Sequence, residues 1–283
     1  MPSRKAPTVR QRRLGAEMRK MRERTGLSLT EAAAMLGTDR TTVSNIESGR
    51  FGVSTERVRT WAENYGCSDE AYIDALVEMA RERINGWWEE YRGEFAGDAL
   101  DLAELEHHAV GLRSVEIMHI PGLLQTEDYA RAVFTETVPA PSPMRQRRLL
   151  SHRLRRRDVL DRMDQPRCVF LVHEAALRMV YGGSAIARSQ LDYLLLQSER
   201  DNIVIRAIPF AAGGFPRASS SAHYLYGPVP QLDTLQMDTA SGPKFLDAET
   251  ILENSRVALN RTEERSLDPE KTRDFIRTIA LQV

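Results

Sequence analysis

The sequence predicts an all-α N-terminal domain followed by a mixed α+β C-terminal domain, and three observations carry the prediction. Up to residue 84, apolar residues repeat at helical spacing through five successive segments. Beyond residue 100, short β-branched runs, CVFLVH at 168–173 and IVIRAI at 203–208, alternate with helical stretches. Charge divides the chain in the same sense: residues 1–66 hold 13 Lys/Arg against 7 Asp/Glu, and the remainder 26 against 33. At 283 residues the chain exceeds the ~100–200 usual for one domain. The expected division is 1–84 for the helical domain, 85–100 for an aromatic connecting segment and 101–283 for the mixed domain.

The first helix spans 12–24, where Leu14, Met18 and Met21 form an i, i+4, i+7 stripe among basic residues. Thr25-Gly26 ends it. Ser28 suits the cap of a second helix carrying Leu29, Ala32, Ala33 and Leu36, which Gly37 stops. Asp39 suits the cap of a third, with Val43 and Ile46 on one face and Gly49 at its close. A fourth begins at Ser54 and turns Val58, Trp61 and Ala62 inward; a fifth, 69–84, does so with Tyr72, Ile73, Leu76, Met79 and Ala80. The connecting segment NGWWEEYRGEFAGDAL has no clear period, yet Trp87, Trp88, Tyr91 and Phe95 would be costly to leave in water, so it is expected to dock. Past it come a helix at 102–110, an extended piece at 115–118, a turn at Pro121 leading into a helix that ends near 134, and an Arg-rich helix at 144–163. Helices at 175–180 and 188–198 separate the two β-branched runs. Residues 223–226 and 232–237 read as antiparallel strands before closing helices at 248–261 and 269–281.

Composition sets several classes aside. A hydrophobic fraction of 42% with 28% charged residues is ordinary for a globular chain. Cys67 and Cys168 form neither a CxxC pair nor a disulfide framework, which suits a reducing compartment. MPSRKAPTVRQRR is followed by no apolar signal region and no apolar run approaches ~18 residues, so a cytoplasmic location without a membrane segment is expected. Nucleophile-elbow, phosphate-loop, dinucleotide and zinc-protease patterns are missing. Glu104-x-x-His107 lacks the second copy that a dinuclear site needs, and His173-Glu174 reads as easily as a strand-terminal pair. No enzymatic activity, cofactor or metal is therefore expected.

The sharpest signal is SLTEAAAMLGTDRTTVSNIESG, residues 28–49. A small residue at Ala33 lets two helices approach, Gly37 accepts a tight turn, and Val43 and Ile46 pack back onto the first helix. This is the pattern of a helix-turn-helix. Its outer face, Arg40, Thr41, Thr42, Ser44 and Asn45, is left free for the major groove of double-stranded DNA, and the net +6 of residues 1–66 suits a polyanion. Glu47 is expected to pair with Arg50 or a backbone amide.

The stretch GLSLTEAAAMLGTDRTTVSNIESGR resembles the Xre/Cro type of phage-repressor helix-turn-helix, over residues 12–66. The resemblance implies that Arg40 and Thr41 open the recognition helix and reach base edges, with Ser44 and Asn45 one turn on. Thr42, Arg50, Arg19 and Arg12 are read as phosphate contacts, which position without specifying. Leu29 departs from the family, many members of which place a phosphate-bonding polar residue there. A homodimer on a two-fold site is expected.

In the second domain IPGLLQTEDYARAV, RQRRLL, VHEAALR and FIRTIA, together with the earlier WWEEY, resemble the domain of unknown function that follows Xre-type modules in actinobacterial regulators of the WhiJ kind. That resemblance implies regulation of development or secondary metabolism, with a small acidic protein as partner. Read from the residues, Gln125, Thr126 and Tyr129 either contact a ligand or partner or form a packed, capped helix start. Seven arginines between Arg145 and Arg157 share a helix with Leu149, Leu150 and Leu154. They are read chiefly as its wet face, with Arg145 and Arg148 as candidates for an acidic partner. The alternative for the whole chain is a protein-interaction adaptor or antitoxin-like partner with secondary DNA binding.

Overall fold

The computed structural model describes residues 6–82, 86–95, 97–239 and 242–283. Contacts divide the chain into two compact units, Met1–Leu105 and Glu106–Val283. The expected end of the fifth helix at Ile84 and the expected boundary at Asn85 lie outside the described residues.

The first unit holds α1 (Val9–Arg24), α2 (Leu29–Met35), α3 (Arg40–Glu47), α4 (Thr55–Asn64) and α5 (Glu70–Arg81). All five open the same way: Thr8, Ser28, Asp39, Ser54 and Asp69 each accept, on their side chains, the amide N–H three residues on. Each such cap contributes about 1 kcal/mol. Met18, Ala32, Val43, Val58, Ala62 and Leu76 are fully buried, so the stripes read from the sequence face one core.

The aromatic segment docks, as a short 3-10 turn at Trp87–Tyr91 followed by α6 (Gly97–His108). Trp88 and Tyr91 pack with Leu100 and Ala103, and Trp87 and Phe95 lie against them. It therefore falls with the first unit instead of standing as a connector, and α6 starts five residues before the expected 102. The same helix completes α1: Asp101 Oδ1 accepts the Val9 amide (3.1 Å) and Glu104 Oε2 the Arg10 amide (3.3 Å). No acidic residue stands in the first turn of α1 itself, so Asp101 of α6 supplies the negative charge its N-terminus favours. Burial pushes the Glu104 carboxyl up to about 7, against the downward pull of its bonds from Thr8 and the Arg10 amide. Glu104, half of the His/Glu pair noted in the sequence, thus serves a helix terminus.

The second unit is built on one six-stranded sheet, ordered β3-β2-β1-β4-β5-β6. Its strands are β1 (Gly111–Glu116), β2 (Arg167–His173), β3 (Ile203–Ile208), β4 (Ala222–Tyr226), β5 (Thr234–Thr239) and β6 (Gly242–Leu246). β1, β2 and β3 run parallel, whereas β4, β5 and β6 add in antiparallel succession. Helices α7 (Glu127–Thr135), α8 (Pro143–Arg156), α9 (Glu174–Arg178), α10 (Ser184–Gln197), α11 (Glu249–Glu264) and α12 (Pro269–Ala280) surround it. On one face Val115, Val169, Leu171, Tyr224 and Leu235 meet Leu252 and Leu259 of α11. At the β3 rim the Ala207 amide donates to Thr272 Oγ1 (3.0 Å) and the Ala207 carbonyl accepts from the Leu267 amide (2.8 Å). β6 was not expected; its partner register sets Pro243 against Asp238 and Lys244 against Met237. Among the described residues no helix is long and apolar enough to cross a membrane.

Candidate nucleic-acid interface

The local chemistry of α3 decides which way its side chains face. Asp39 Oδ1 accepts the Thr42 amide (2.8 Å) and Asp39 Oδ2 accepts the Thr42 hydroxyl (2.6 Å), which fixes the first turn. Gly37 and Gly49 take positive φ of 62° and 71° at its two ends, where a side chain would be strained. Between them Val43, Ile46 and Glu47 are buried, while Arg40, Thr41 and Ser44 are exposed and Asn45 is half-buried. Neither Arg40 nor Arg50, also exposed, has an ion pair among the described residues. The outer row read from the sequence is therefore presented together on one surface. Thr42 is the exception, since its hydroxyl is turned back onto Asp39.

Two devices hold that surface against α1. A Cβ on Gly15 would fall 2.5 Å from the Ile46 carbonyl oxygen and 2.7 Å from that of Glu47, so backbone meets backbone there. The second device is electrostatic. Arg22 Nε and Nη2 donate to the two oxygens of Glu47 at 2.7 and 2.9 Å, and Nη1 to the Leu27 carbonyl at 2.7 Å. The expectation that Glu47 pairs with Arg50 is thus corrected: it turns inward to Arg22, 25 residues earlier, and its hydrogen bonds hold the Arg22 guanidinium above its ordinary pKa. A further buried node joins α1 to α5, where Glu17 accepts from Arg13 (2.6 Å) and from the Tyr72 hydroxyl (2.6 Å). Burial raises the Tyr72 pKa well above its usual value. Neither Gly15 nor Arg22 stood out in the sequence; only the basic, glycine-containing stripe of the first helix hinted at them.

The expected phosphate contacts divide. Arg19 is exposed in an i,i+4 pair with Glu23 (2.6 Å), a partner that a phosphate displaces at little cost. Arg12 is tied to Asp101 (2.5 Å) and to the Pro7 carbonyl (2.7 Å), so its charge is already answered. At the start of α2, Ser28 and Glu31 form a reciprocal capping box, with Leu29 half-buried between them.

In the second unit Gln125, Thr126 and Tyr129 are held by their own chain. Gln125 is buried, donating to the Ile120 carbonyl (2.7 Å) and accepting from Arg153 (2.6 Å). Thr126 caps α7, and the Tyr129 hydroxyl accepts the Ile120 amide (3.3 Å) inside the core. This is the geometry of the packed, capped helix start. The wet-face reading of the arginines fails for three of them. Arg156 is buried against both oxygens of Glu106 (2.6 and 2.7 Å), Arg153 reaches Gln125 and lies over the Phe134 ring, and Arg157 donates to the Tyr193 hydroxyl. Arg145 is exposed and Arg148 half-buried. Among the described residues no group of three or more His, Cys, Asp or Glu is arranged to hold a metal.

Fold and site define a helix-turn-helix protein, and a model described as a helix-turn-helix domain matches residues 13–76, which suggests a DNA-binding regulator. A second model, described as a domain of unknown function (DUF5753), matches residues 99–278; it covers more than half of the chain, which belongs to that family. No curated protein and no solved structure matches it.

Proposed function

We propose that this chain is a sequence-specific transcriptional regulator that reads base edges in the major groove with Arg40, Thr41, Ser44 and Asn45. One observation carries the reading: α3 buries Val43, Ile46 and Glu47 and leaves Arg40, Thr41 and Ser44 outside. Arg40 suits bidentate contact with guanine and Asn45 with adenine. Arg50 and Arg19 contact phosphates, with Thr42 and Arg12 as lesser contributors because Asp39 and Asp101 already engage them. The protein acts as an Xre/Cro-type homodimer on a two-fold site, a reading supported by the likeness of residues 12–66 to that type. The likeness of its second half to WhiJ-like regulators supports control of development or secondary metabolism, modulated through that domain by a ligand or a small acidic protein.

The test begins with DNA selected from a random pool by the full chain. Arg40→Ala is expected to lose about 1–3 kcal/mol of preference for the selected site over scrambled DNA. Arg19→Ala weakens both DNAs alike and lowers the salt dependence. Equal site preference in the wild type and an Arg40→Ala/Asn45→Ala double variant ends the base-reading proposal.

A further inference from the structure

On the α11 face of the sheet, away from Gln125 and Tyr129, lies a cleft of about 510 Å³. It is formed by the starts of β1 and β2, the end of β4 with the loop after it, and α11. Its floor follows from strand register. Gly111 of β1 stands between Arg167 of β2 and Tyr226 of β4 in one cross-strand row. Strands lie about 4.8 Å apart, and Gly111 contributes no side chain between the guanidinium-bearing and ring-bearing positions on either side of it. A Cβ on Gly111 would come within 3.3 Å of the Tyr226 ring and begin to fill that gap.

The charges around the gap do not balance. Of two carboxylates, Glu263 is paired with Arg113 (2.7 Å), and Asp233 accepts the Tyr224 hydroxyl (2.7 Å) and the Gly227 amide (2.9 Å). Against them stand three arginines, Arg113, Arg167 and Arg256, which leaves one positive charge over. Arg167 is exposed, and its side chain has no ion pair or hydrogen bond among the described residues. The Nε groups of Arg113 and Arg256 are buried without an acceptor, and buried donors in native proteins nearly always have one. The remaining lining is apolar: Val110, Val169, Pro228 and the Tyr226 ring.

We propose that this cleft binds a small organic monoanion with a planar apolar body, the class of the aromatic carboxylates. The carboxylate lies against Arg167 and Arg256, and the ring lies over Gly111 beside Tyr226. The volume falls within the ~300–1,000 Å³ of small-molecule sites, where a few polar groups orient an otherwise apolar ligand. The site stands independently of DNA recognition by α3.

Calorimetry on the full chain tests it with 1-naphthoate, its uncharged counterpart 1-naphthalenemethanol, and inorganic phosphate. One equivalent of 1-naphthoate is expected to bind, the alcohol at least about tenfold more weakly for want of charge-assisted bonds, and phosphate without measurable heat. Arg167→Ala lowers naphthoate affinity about tenfold, and Gly111→Val, which occupies the gap with a strand-favouring side chain, abolishes it. Thermal melting verifies that each variant is folded; should Gly111→Val not fold, Arg167→Ala and the acid/alcohol comparison still decide. The proposal is overturned if the wild type does not bind naphthoate, if alcohol or phosphate binds as well as the acid, or if folded Arg167→Ala binds naphthoate as the wild type does.

Discussion

Replacing Glu47 by Ala asks whether an inward carboxylate orients α3. Side-chain exposures of 8% for Arg22 and 5% for Glu47 take this pair out of the regime where surface ion pairs contribute about 0–1 kcal/mol. Truncating one partner of a buried pair costs about 3–5 kcal/mol, because the other charge is left desolvated. Arg22 would keep the Leu27 carbonyl at 2.7 Å and the exposed Glu23 at 3.7 Å, which places the loss near 3 kcal/mol, the lower end of that range. Such a loss raises the open population roughly 150-fold. Hydrogen exchange of the amides of residues 42–49 reads that population. A double variant, Arg22→Met with Glu47→Leu, exchanges charge for apolar volume and is expected to restore protection to within about 1 kcal/mol of the wild type. Protection within threefold of wild type in Glu47→Ala would refute the reasoning. So would a double variant as unprotected as the single one, since packing volume would then be what matters.

Gly15→Ala reverses an ordinary sign: alanine favours a helix by about 1 kcal/mol, but its Cβ would meet two backbone carbonyls of α3, so a lower thermal midpoint by circular dichroism is expected and a higher one is fatal to the close-approach account. Glu104 gives a pH dependence. Its carboxyl sits at about 7 in the fold against an ordinary 4.5, so its contribution is complete below about 4.5 and is lost as pH climbs through 7. The loss is on the order of 3 kcal/mol, and Glu104→Gln should remove that slope from urea midpoints taken between pH 4.5 and 8. Thr272→Val deprives the Ala207 amide of its acceptor at a position 1% exposed; a loss of about 1–3 kcal/mol is expected, while Thr272→Ser stays near wild type in the same denaturation assay.

What was legible in the sequence was what is local. Ser28 with Glu31, Asp39 with Thr42, and the glycines at 37 and 49 act within four residues of themselves, so caps, turns and the inward positions Val43 and Ile46 were readable without knowing the rest of the fold. Strands β2 and β3 announced themselves by β-branched runs bounded by turns. Long-range pairings left no such mark. Arg22 and Glu47 lie 25 residues apart, and Arg156 and Glu106 lie 50 apart, so the sequence alone points Glu47 to Arg50 or a backbone amide and the arginines of α8 chiefly to solvent. GPKFL of β6 has proline and glycine in place of β-branched residues, and its pairing with β5 supplies what composition does not. The start of α6 was hidden because its burial follows the aromatic cluster and not a helical stripe. The cleft row of Arg167, Gly111 and Tyr226 comes from three strands, and the register that unites them is invisible along any one of them.

The two rims of the sheet bear on how the molecule behaves in a crowd. An open strand offers a template for another chain, and fibres begin there. Beside β3 the template is already spent on Thr272 and Leu267, so an incoming strand finds Ala207 occupied on both its donor and its acceptor. β6 meets the same hazard by composition: Pro243 has no amide hydrogen to give, and Lys244 sets a charge where an intruding strand would lie. Both rims thus carry features that discourage an incoming strand from extending the sheet.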